Sequence, residues 1–134
     1  MIYSHFISNI HLLPVLVMTL FSFALGAFWH SQKLFGKTWA EENNLSKDRK
    51  INAPLIFGGT ALVHFVTIAG LSAVVAEKGF LNGLLGGILI SIVWILPSIT
   101  GTYLFAGKSL KLLAIDAGMY IVLFSIAGGI MGVW

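Results

Sequence analysis

Four long apolar segments occupy most of the 134-residue chain and restrict what it can fold into. They cover about residues 10–31, 53–76, 80–106 and 109–134. Each reaches the roughly 20 residues that a helix needs to cross a hydrocarbon core about 30 Å thick. Only 10% of the residues are charged, whereas soluble domains usually carry about 25%. The sequence therefore predicts an all-α, antiparallel four-helix transmembrane bundle that forms one integral membrane domain, residues 1–134.

The basic residues predict the orientation of this bundle. The second loop holds only Lys78, and seven of the eight Lys and Arg residues lie in the first and third loops. By the positive-inside rule, loops 32–52 and 107–111 are expected to face the cytoplasm and both termini to lie outside. The net charge of +3 thus fits membrane topology better than nucleic-acid binding. The seven residues are Lys33, Lys37, Lys47, Arg49, Lys50, Lys108 and Lys111.

A polar stretch with the sequence QKLFGKTWAEENNLSKDRK (32–50) separates the first two segments. Its apolar residues between positions 34 and 39 follow helical spacing, which predicts a short helix lying in the membrane interface. A plain loop is the alternative. We expect lysines here to extend toward lipid headgroups and tryptophans to lie at the headgroup level. The predicted interface anchors are Trp29, Trp39, Lys33 and Lys37.

Pro97 lies inside the third segment, where a proline removes a helical hydrogen bond. The sequence predicts a kink at this point and a free carbonyl at Val93. The hydroxyl of Ser98, Thr100 or Thr102 is near enough along the chain to help satisfy the backbone.

Asp116 is the one acid inside the fourth segment, in the run LLAIDAGMYIVLF (112–124). An intramembrane aspartate costs roughly 2.5–3.5 kcal/mol on insertion scales and by default faces the protein interior with a partner. One interpretation is a proton or cation site, or an anchor for a polar headgroup. The other is a carboxyl that only joins helices by bonding a hydroxyl on a neighbouring helix.

Three further residues are candidates for a polar track with Asp116. Tyr120 lies four residues later on the same helix face, and His64 lies near the middle of the second segment. His30, at the inner end of the first segment, is another possible partner. A His–carboxylate pair would titrate near neutral pH. The alternatives are that His64 bonds a backbone carbonyl or a threonine, and that His30 is an interfacial anchor.

Small residues form a stripe along the fourth helix. At about 100° per residue, Asp116 and Tyr120 lie about 160° away from this stripe. If Asp116 faces the interior, the stripe faces outward and is available to a second copy of the chain, as a homodimer interface. The alternative is that the stripe packs inside one bundle. Gly83 and Gly87, a GxxxG pair on the third helix, are more typical of packing within the chain. The stripe consists of Ala114, Gly118, Ser125, Gly129 and Gly132.

No motif predicts catalysis, metal binding or a cofactor. The chain has no cysteine, and the expected threading scatters the four histidines. His5 and His11 would lie outside, His30 inside and His64 in the middle. Neither a G-x-S-x-G elbow nor a P-loop is present. We therefore predict no catalytic residues, no metal, no cofactor and no nucleic-acid partner; a small-molecule ligand stays unknown.

Two blocks of sequence carry a resemblance. GAFWHSQKLFGKTW (26–39) follows a pattern of Gly-x-x-Trp-Tyr-Ser leading into Leu-Phe-Gly-Lys-x-Trp, except for His30. YLFAGKSLKLLAIDAGMYIVLFSIAGGIMGVW (103–134) follows a Tyr-Leu-Phe-x-Gly block with an Asp before Ala-Gly, except for Met119. Together they resemble a bacterial family of small four-helix membrane proteins catalogued only as a domain of unknown function. The resemblance implies this fold and the bacterial inner membrane, and implies no activity.

Three functions are compatible with these residues. The first is a non-enzymatic packing, interaction or lipid-binding module whose partner is the bilayer. The second is a small proton- or ion-coupled carrier that uses Asp116 and His64. The third is an intramembrane enzyme built from Asp116 with Tyr120 or His64. The chain is short for a monomeric carrier, because four helices enclose little volume and no internal repeat is detectable.

Overall fold

The computed structural model describes residue 4 and residues 7–46 and 48–134, so His5 and Lys47 lie outside the described residues. Within this part of the chain the fold is helical and contains no strand. The main helices are α1 (Leu12–Trp29), α2 (Gly36–Glu42), α3 (Ala53–Val75), α4 (Phe80–Phe105) and α5 (Leu110–Gly132). The short helix predicted after the first segment is confirmed as α2, which has seven residues.

Four of these helices, namely α1, α3, α4 and α5, are long and apolar enough to cross a membrane. Their outer surface carries large exposed apolar side chains such as Leu20, Leu55 and Phe105. Apolar surface of this extent is not typical of a monomeric soluble protein. The all-α bundle predicted from the sequence is therefore confirmed, and its exterior suits a membrane protein.

Helices α3 and α5 begin at residues whose side chains satisfy free backbone N–H groups. The Asn52 side chain accepts a hydrogen bond from the Leu55 N–H at 3.2 Å, and Pro54 occupies the first turn of α3. The Ser109 hydroxyl accepts from the Leu112 N–H at 3.1 Å at the start of α5. These caps fix where α3 and α5 enter the bundle.

Helix α5 is the centre of the packing. Its buried face includes Leu112, Leu123, Ala127 and Met131, and packs against the other three long helices. Its closest neighbour is α4. A Cβ at Gly87 would overlap the carbonyl of Phe124, and one at Gly83 would overlap the carbonyl of Gly128. Packing of the Gly83–Gly87 pair within the chain is thus confirmed, because only residues without a side chain allow the two backbones to lie this close.

Helix α4 is not a regular α-helix throughout. It consists of Phe80–Ile90, a π turn at Ser91–Ile95, and Leu96–Phe105. The π turn directly precedes Pro97, so the backbone accommodates the proline by widening the helix. Nearby hydroxyls bond to the helix backbone, but to carbonyls other than that of Val93: Ser98 donates to the Trp94 carbonyl at 2.6 Å and Thr100 to the Leu96 carbonyl at 2.6 Å.

The loops meet in two groups. At one end Lys111 Nζ lies 3.3 Å from Glu42, so the segment after α1 touches the start of α5. At the other end the Gly79 N–H donates to the Gly132 carbonyl at 2.7 Å, so the α3–α4 loop touches the end of α5. The two lysine-rich loops therefore lie side by side.

Candidate functional site

Asp116 lies where four helical elements meet. Trp39 Nε1 donates a hydrogen bond to Asp116 Oδ1 at 2.9 Å, and the Tyr103 hydroxyl donates to Oδ2. His30 Nε2 lies 3.6 Å from Oδ1. The carboxylate side chain is 17% exposed, so three polar groups from α2, α4 and the end of α1 enclose it. Both oxygens are satisfied within the chain.

A tight turn after α1 brings two of these groups together. The Gly36 N–H donates to the Ser31 carbonyl at 2.9 Å, and a Cβ at Gly36 would overlap the His30 carbonyl. Because the turn closes on itself in this way, α2 folds back beneath α1. The His30 and Trp39 rings then make an edge-to-face contact with centroids 5.1 Å apart. Glycine at position 36 is thus required for Trp39 to reach Asp116.

The other donor, Tyr103, is positioned by the short connection between α4 and α5. Gly107 has φ +64°, a left-handed conformation that glycine adopts readily at a helix end. Ser109 then caps α5, which places Asp116 within two turns of the helix start. The two sequence blocks that carry the family resemblance therefore meet at one carboxylate.

A second set of polar contacts lies just outside this cluster. Ser109 Oγ donates a hydrogen bond to Glu42, Lys111 Nζ lies 3.3 Å from Glu42, and Lys108 Nζ donates to the Asn43 side chain at 3.2 Å. The Ser109 hydrogen bond, followed by the Lys111 contact, holds the pKa of Glu42 below its usual value of 4.5. These contacts join the end of α2 to the start of α5.

The Glu42 contacts predict a small pH dependence. Because the folded pKa of Glu42 is lowered, its ionised form stabilises the folded chain above pH 4.5, and this contribution is lost as pH falls through the folded pKa. The unfolding midpoint of Glu42→Gln in detergent should therefore lie below that of wild type at neutral pH and converge with it at acidic pH. Glu41→Gln is the control, since among the described residues the ion pair of Glu41 is with Lys37, at 4.0 Å and on the same short helix. A difference in unfolding midpoint between Glu42→Gln and wild type that stays constant from neutral to acidic pH would contradict this role of Glu42.

His64 belongs to a different polar pair. Its Nδ1 lies 2.6 Å from Ser22 Oγ on α1, and the same Ser22 oxygen lies 2.6 Å from the Thr19 carbonyl. The His64 ring makes an edge-to-face contact with Tyr120, with centroids 6.3 Å apart. His64 is 7% exposed and Ser22 is 2% exposed. The buried imidazole is thus held between a serine on α1 and an aromatic ring on α5.

The four candidate track residues therefore fall into two pairs. Asp116 lies beside His30, and His64 lies beside Tyr120. Among the described residues, no hydrogen bond or ion pair joins His64 to Asp116, whose oxygens are occupied by Trp39 and Tyr103. Tyr120 lies one turn beyond Asp116 on α5, so the two pairs are adjacent along this helix.

Two clefts open beside His64, whose side chain lines both of them. The α3–α4 cleft has a volume of about 290 Å³ and includes Val63, Trp94 and Tyr120. The α1–α3 cleft has a volume of about 280 Å³ and extends from His64 and Tyr120 to His30. Apolar side chains form most of both walls. Other polar side chains, such as Ser98 and Thr60, line one cleft each, whereas His64 and Tyr120 line both.

The small-residue stripe of α5 is largely covered within the chain. A Cβ at Gly129 would lie 2.8 Å from the Phe80 ring, one at Gly118 would lie 3.2 Å from the Trp29 ring, and one at Gly132 would overlap the Gly79 carbonyl. Ala114 is exposed and Ser125 is half-buried. The prediction that the stripe faces outward is therefore wrong for the three glycines, because α4 and Trp29 already occupy that side of α5. The oligomeric state stays a prediction.

The predicted interface anchors fall into two groups, the tryptophans and the lysines. Both indole N–H groups bond to α5: Trp29 Nε1 donates to the Ile115 carbonyl at 2.9 Å, and Trp39 Nε1 donates to Asp116. Lys33 and Lys37 are exposed. The tryptophans thus have a role inside the fold that sequence reasoning missed, and contact of all four residues with headgroups stays a prediction.

Two site residues escaped the sequence analysis altogether. Tyr103 was visible only as part of the Tyr-Leu-Phe block, and the π turn that aims it at Asp116 leaves no clear sequence signal. Ser22 lies inside the apolar run of the first segment, where nothing in the sequence marks it as a partner for His64. A hydroxyl in a membrane helix usually bonds its own backbone, so it gives little warning of a contact between helices.

Comparison with known families gives one finding. The sequence model of the family described as "Protein of unknown function (DUF1761)" matches residues 13–132. The chain belongs to this family. The match covers the four long helices of this DUF1761 member, except for Leu12, together with the Asp116 cluster and both clefts. No curated protein and no solved structure matches the chain significantly.

Proposed function

We propose that this DUF1761 member is a non-enzymatic integral membrane protein that binds a lipid molecule in its lateral clefts. The observation that carries the proposal is the pair of clefts that share His64 and Tyr120. Ligand sites are usually concave and mostly apolar, with a few polar groups that orient the ligand. Volumes of about 290 and 280 Å³ suit part of a lipid, such as a chain segment or one ring, rather than a whole molecule.

The surroundings of the clefts support a ligand that arrives through the bilayer. Val63 and Trp94, on opposite walls of the α3–α4 cleft, are 59% and 66% exposed. The cleft therefore opens on the outer surface of the bundle, where acyl chains would surround it. In this proposal the chain forms a single domain in the bacterial inner membrane. Loops 32–52 and 107–111 face the cytoplasm, and the termini lie outside.

The Asp116 cluster has a supporting role in this proposal. Its carboxylate is fully engaged by Trp39 and Tyr103, so it joins α2 to the bundle rather than binding a ligand itself. The contacts between the two lysine-rich loops support the antiparallel threading, because they bring both loops to one end.

Filling the α3–α4 cleft should reduce lipid binding. We expect Val63→Trp to lower, several-fold, the photochemical cross-linking of a diazirine-labelled diacyl lipid to peptides containing His64 or Tyr120 in proteoliposomes. The matched control is Leu62→Trp, because Leu62 is 64% exposed and does not line the cleft. Equal labelling of these peptides in both variants would show that lipid does not enter the cleft.

A second candidate function, a small proton-coupled carrier, is favoured by one observation. The α1–α3 cleft is lined by His30, His64 and Tyr120, three of the four residues expected in the polar track. This cleft joins the surroundings of Asp116 to those of His64. A carrier would need the groups to exchange protons along this wall, and the Asp116 variants discussed below separate the two functions.

A further inference from the structure

The bonding of Ser22 fixes which nitrogen of His64 carries a proton. Ser22 Oγ has two partners at 2.6 Å, the Thr19 carbonyl and His64 Nδ1. A hydroxyl has one proton to donate, and a carbonyl can only accept. Both contacts are satisfied only if Ser22 donates to Thr19 and the Nδ1–H of His64 donates to Ser22. In the neutral imidazole, Nε2 is then an acceptor.

The neutral ring is the form that this position favours. His64 is 7% exposed, and its ring neighbours are the aromatic side chains of Phe23 and Tyr120. Asp116, the acid on the neighbouring helix, is already bonded to Trp39 and Tyr103. A buried imidazolium without a paired carboxylate would be costly.

The acceptor nitrogen is not used by the protein. Among the described residues, His64 Nε2 has no hydrogen-bond partner, and neither has the hydroxyl of Tyr120. Both side chains line both clefts. The common wall of the clefts therefore offers one group that only accepts a hydrogen bond, beside a phenol that both donates and accepts.

We propose that the clefts select a neutral, membrane-soluble amphiphile that carries a hydroxyl, either a long-chain or prenyl alcohol or a hydroquinone. Its O–H donates to His64 Nε2 and its oxygen accepts from the Tyr120 hydroxyl. Ester carbonyls and ethers, which only accept, leave His64 unpaired. This inference rests on the proposed lipid-binding function and deepens it by naming the ligand class.

The depth of His64 argues against a phospholipid headgroup as the donor. His64 is eleven residues into α3, which begins at Ala53, so it lies about 16 Å along the helix at 1.5 Å per residue. That distance is near the centre of a hydrocarbon core about 30 Å thick. Charged headgroups do not reach this depth. An uncharged alcohol or hydroquinone does, because a hydrogen bond to a partner offsets the free-energy cost of burying its hydroxyl.

The test compares ligands that differ in one proton. The purified full chain in detergent is titrated with geranylgeraniol and with its methyl ether, and with a short-chain menaquinol and its dimethyl ether, with the fluorescence of Trp94 and the other tryptophans as readout. We expect at least one hydroxyl compound to bind about tenfold or more tightly than its ether, the effect of one hydrogen bond to an otherwise unpaired buried group. The pair of compounds that shows this preference identifies whether the ligand is an alcohol or a hydroquinone.

Two variants check that His64 is responsible. In His64→Leu the hydroxyl and ether compounds should bind equally, whereas Thr67→Val should keep the preference, because the Thr67 hydroxyl bonds to the Val63 carbonyl of its own helix. If wild type binds each alcohol and its ether equally, selection for a donor is overturned while lipid binding stands. If no compound binds and the cross-linking described above is also unaffected by Val63→Trp, the inference and the proposed function both fall.

Discussion

Replacing Gly87 by alanine is expected to destabilise the folded chain by about 3 kcal/mol, or to prevent folding. The added Cβ would overlap the Phe124 carbonyl of α5. The obstacle is helical backbone, which has no rotamer to change, so α4 and α5 must move apart. Their separation would open the most closely packed contact in the bundle. The unfolding free energy in mixed micelles measures the effect.

Gly101→Ala is the matched control for this prediction. Gly101 lies on the same helix, and a Cβ there would meet nothing within 4 Å. We expect this variant to unfold at or slightly above the wild-type midpoint, because alanine is the better helix former by roughly 0.5–1 kcal/mol. Equal destabilisation by the two substitutions would mean that helix propensity, and not the α4–α5 contact, governs stability.

Replacing Asp116 by leucine is expected to release α2 from the bundle and to lower the unfolding free energy by about 2 kcal/mol. The substitution leaves Trp39 Nε1 and the Tyr103 hydroxyl without their acceptor. Because the chain has no cysteine, one introduced at Ala40 of α2 gives a clean probe of this release. Its labelling rate with a maleimide should rise several-fold in Asp116→Leu, and an unchanged rate would contradict the role given to the carboxylate.

Asp116→Asn separates a structural role from proton transport. The amide oxygen still accepts from Trp39, and the amide N–H donates to the Tyr103 oxygen, so we expect stability and the Ala40 labelling rate to stay near wild type. A carrier would nevertheless lose pH-dependent flux in proteoliposomes, because an amide does not titrate. Wild-type protein that carries no flux, together with a stable Asp116→Asn variant, supports the lipid-binding module.

The helices were predictable because their signals are local. Long apolar runs, Pro54 in a first turn and Ser109 before α5 are all properties of neighbouring residues. The packing of Gly83 and Gly87 was predictable for a similar reason, since their four-residue spacing places both on one face.

The contacts of the site depend on geometry that spacing does not contain. His30 was named as a possible partner of Asp116 and lies 3.6 Å from it, but Trp39, which donates to the carboxylate, was assigned to the membrane interface. Its position depends on the Gly36 turn, which folds α2 back onto the bundle. Likewise, the inward orientation of Asp116 does not leave the glycine stripe accessible to a second copy, because Trp29 and Phe80 from other helices cover two of its residues.

The widened turn at Ser91–Ile95 sets the rotational phase of α4. In an uninterrupted helix Tyr103 would point about 160° away from Gly87, sixteen residues earlier, at 100° per residue. One extra residue in a π turn subtracts about 100° from this angle and brings both residues toward α5. Because of this one irregular turn, α4 packs its glycines against α5 at one end, and at the other end its Tyr103 hydroxyl bonds to Asp116 of α5.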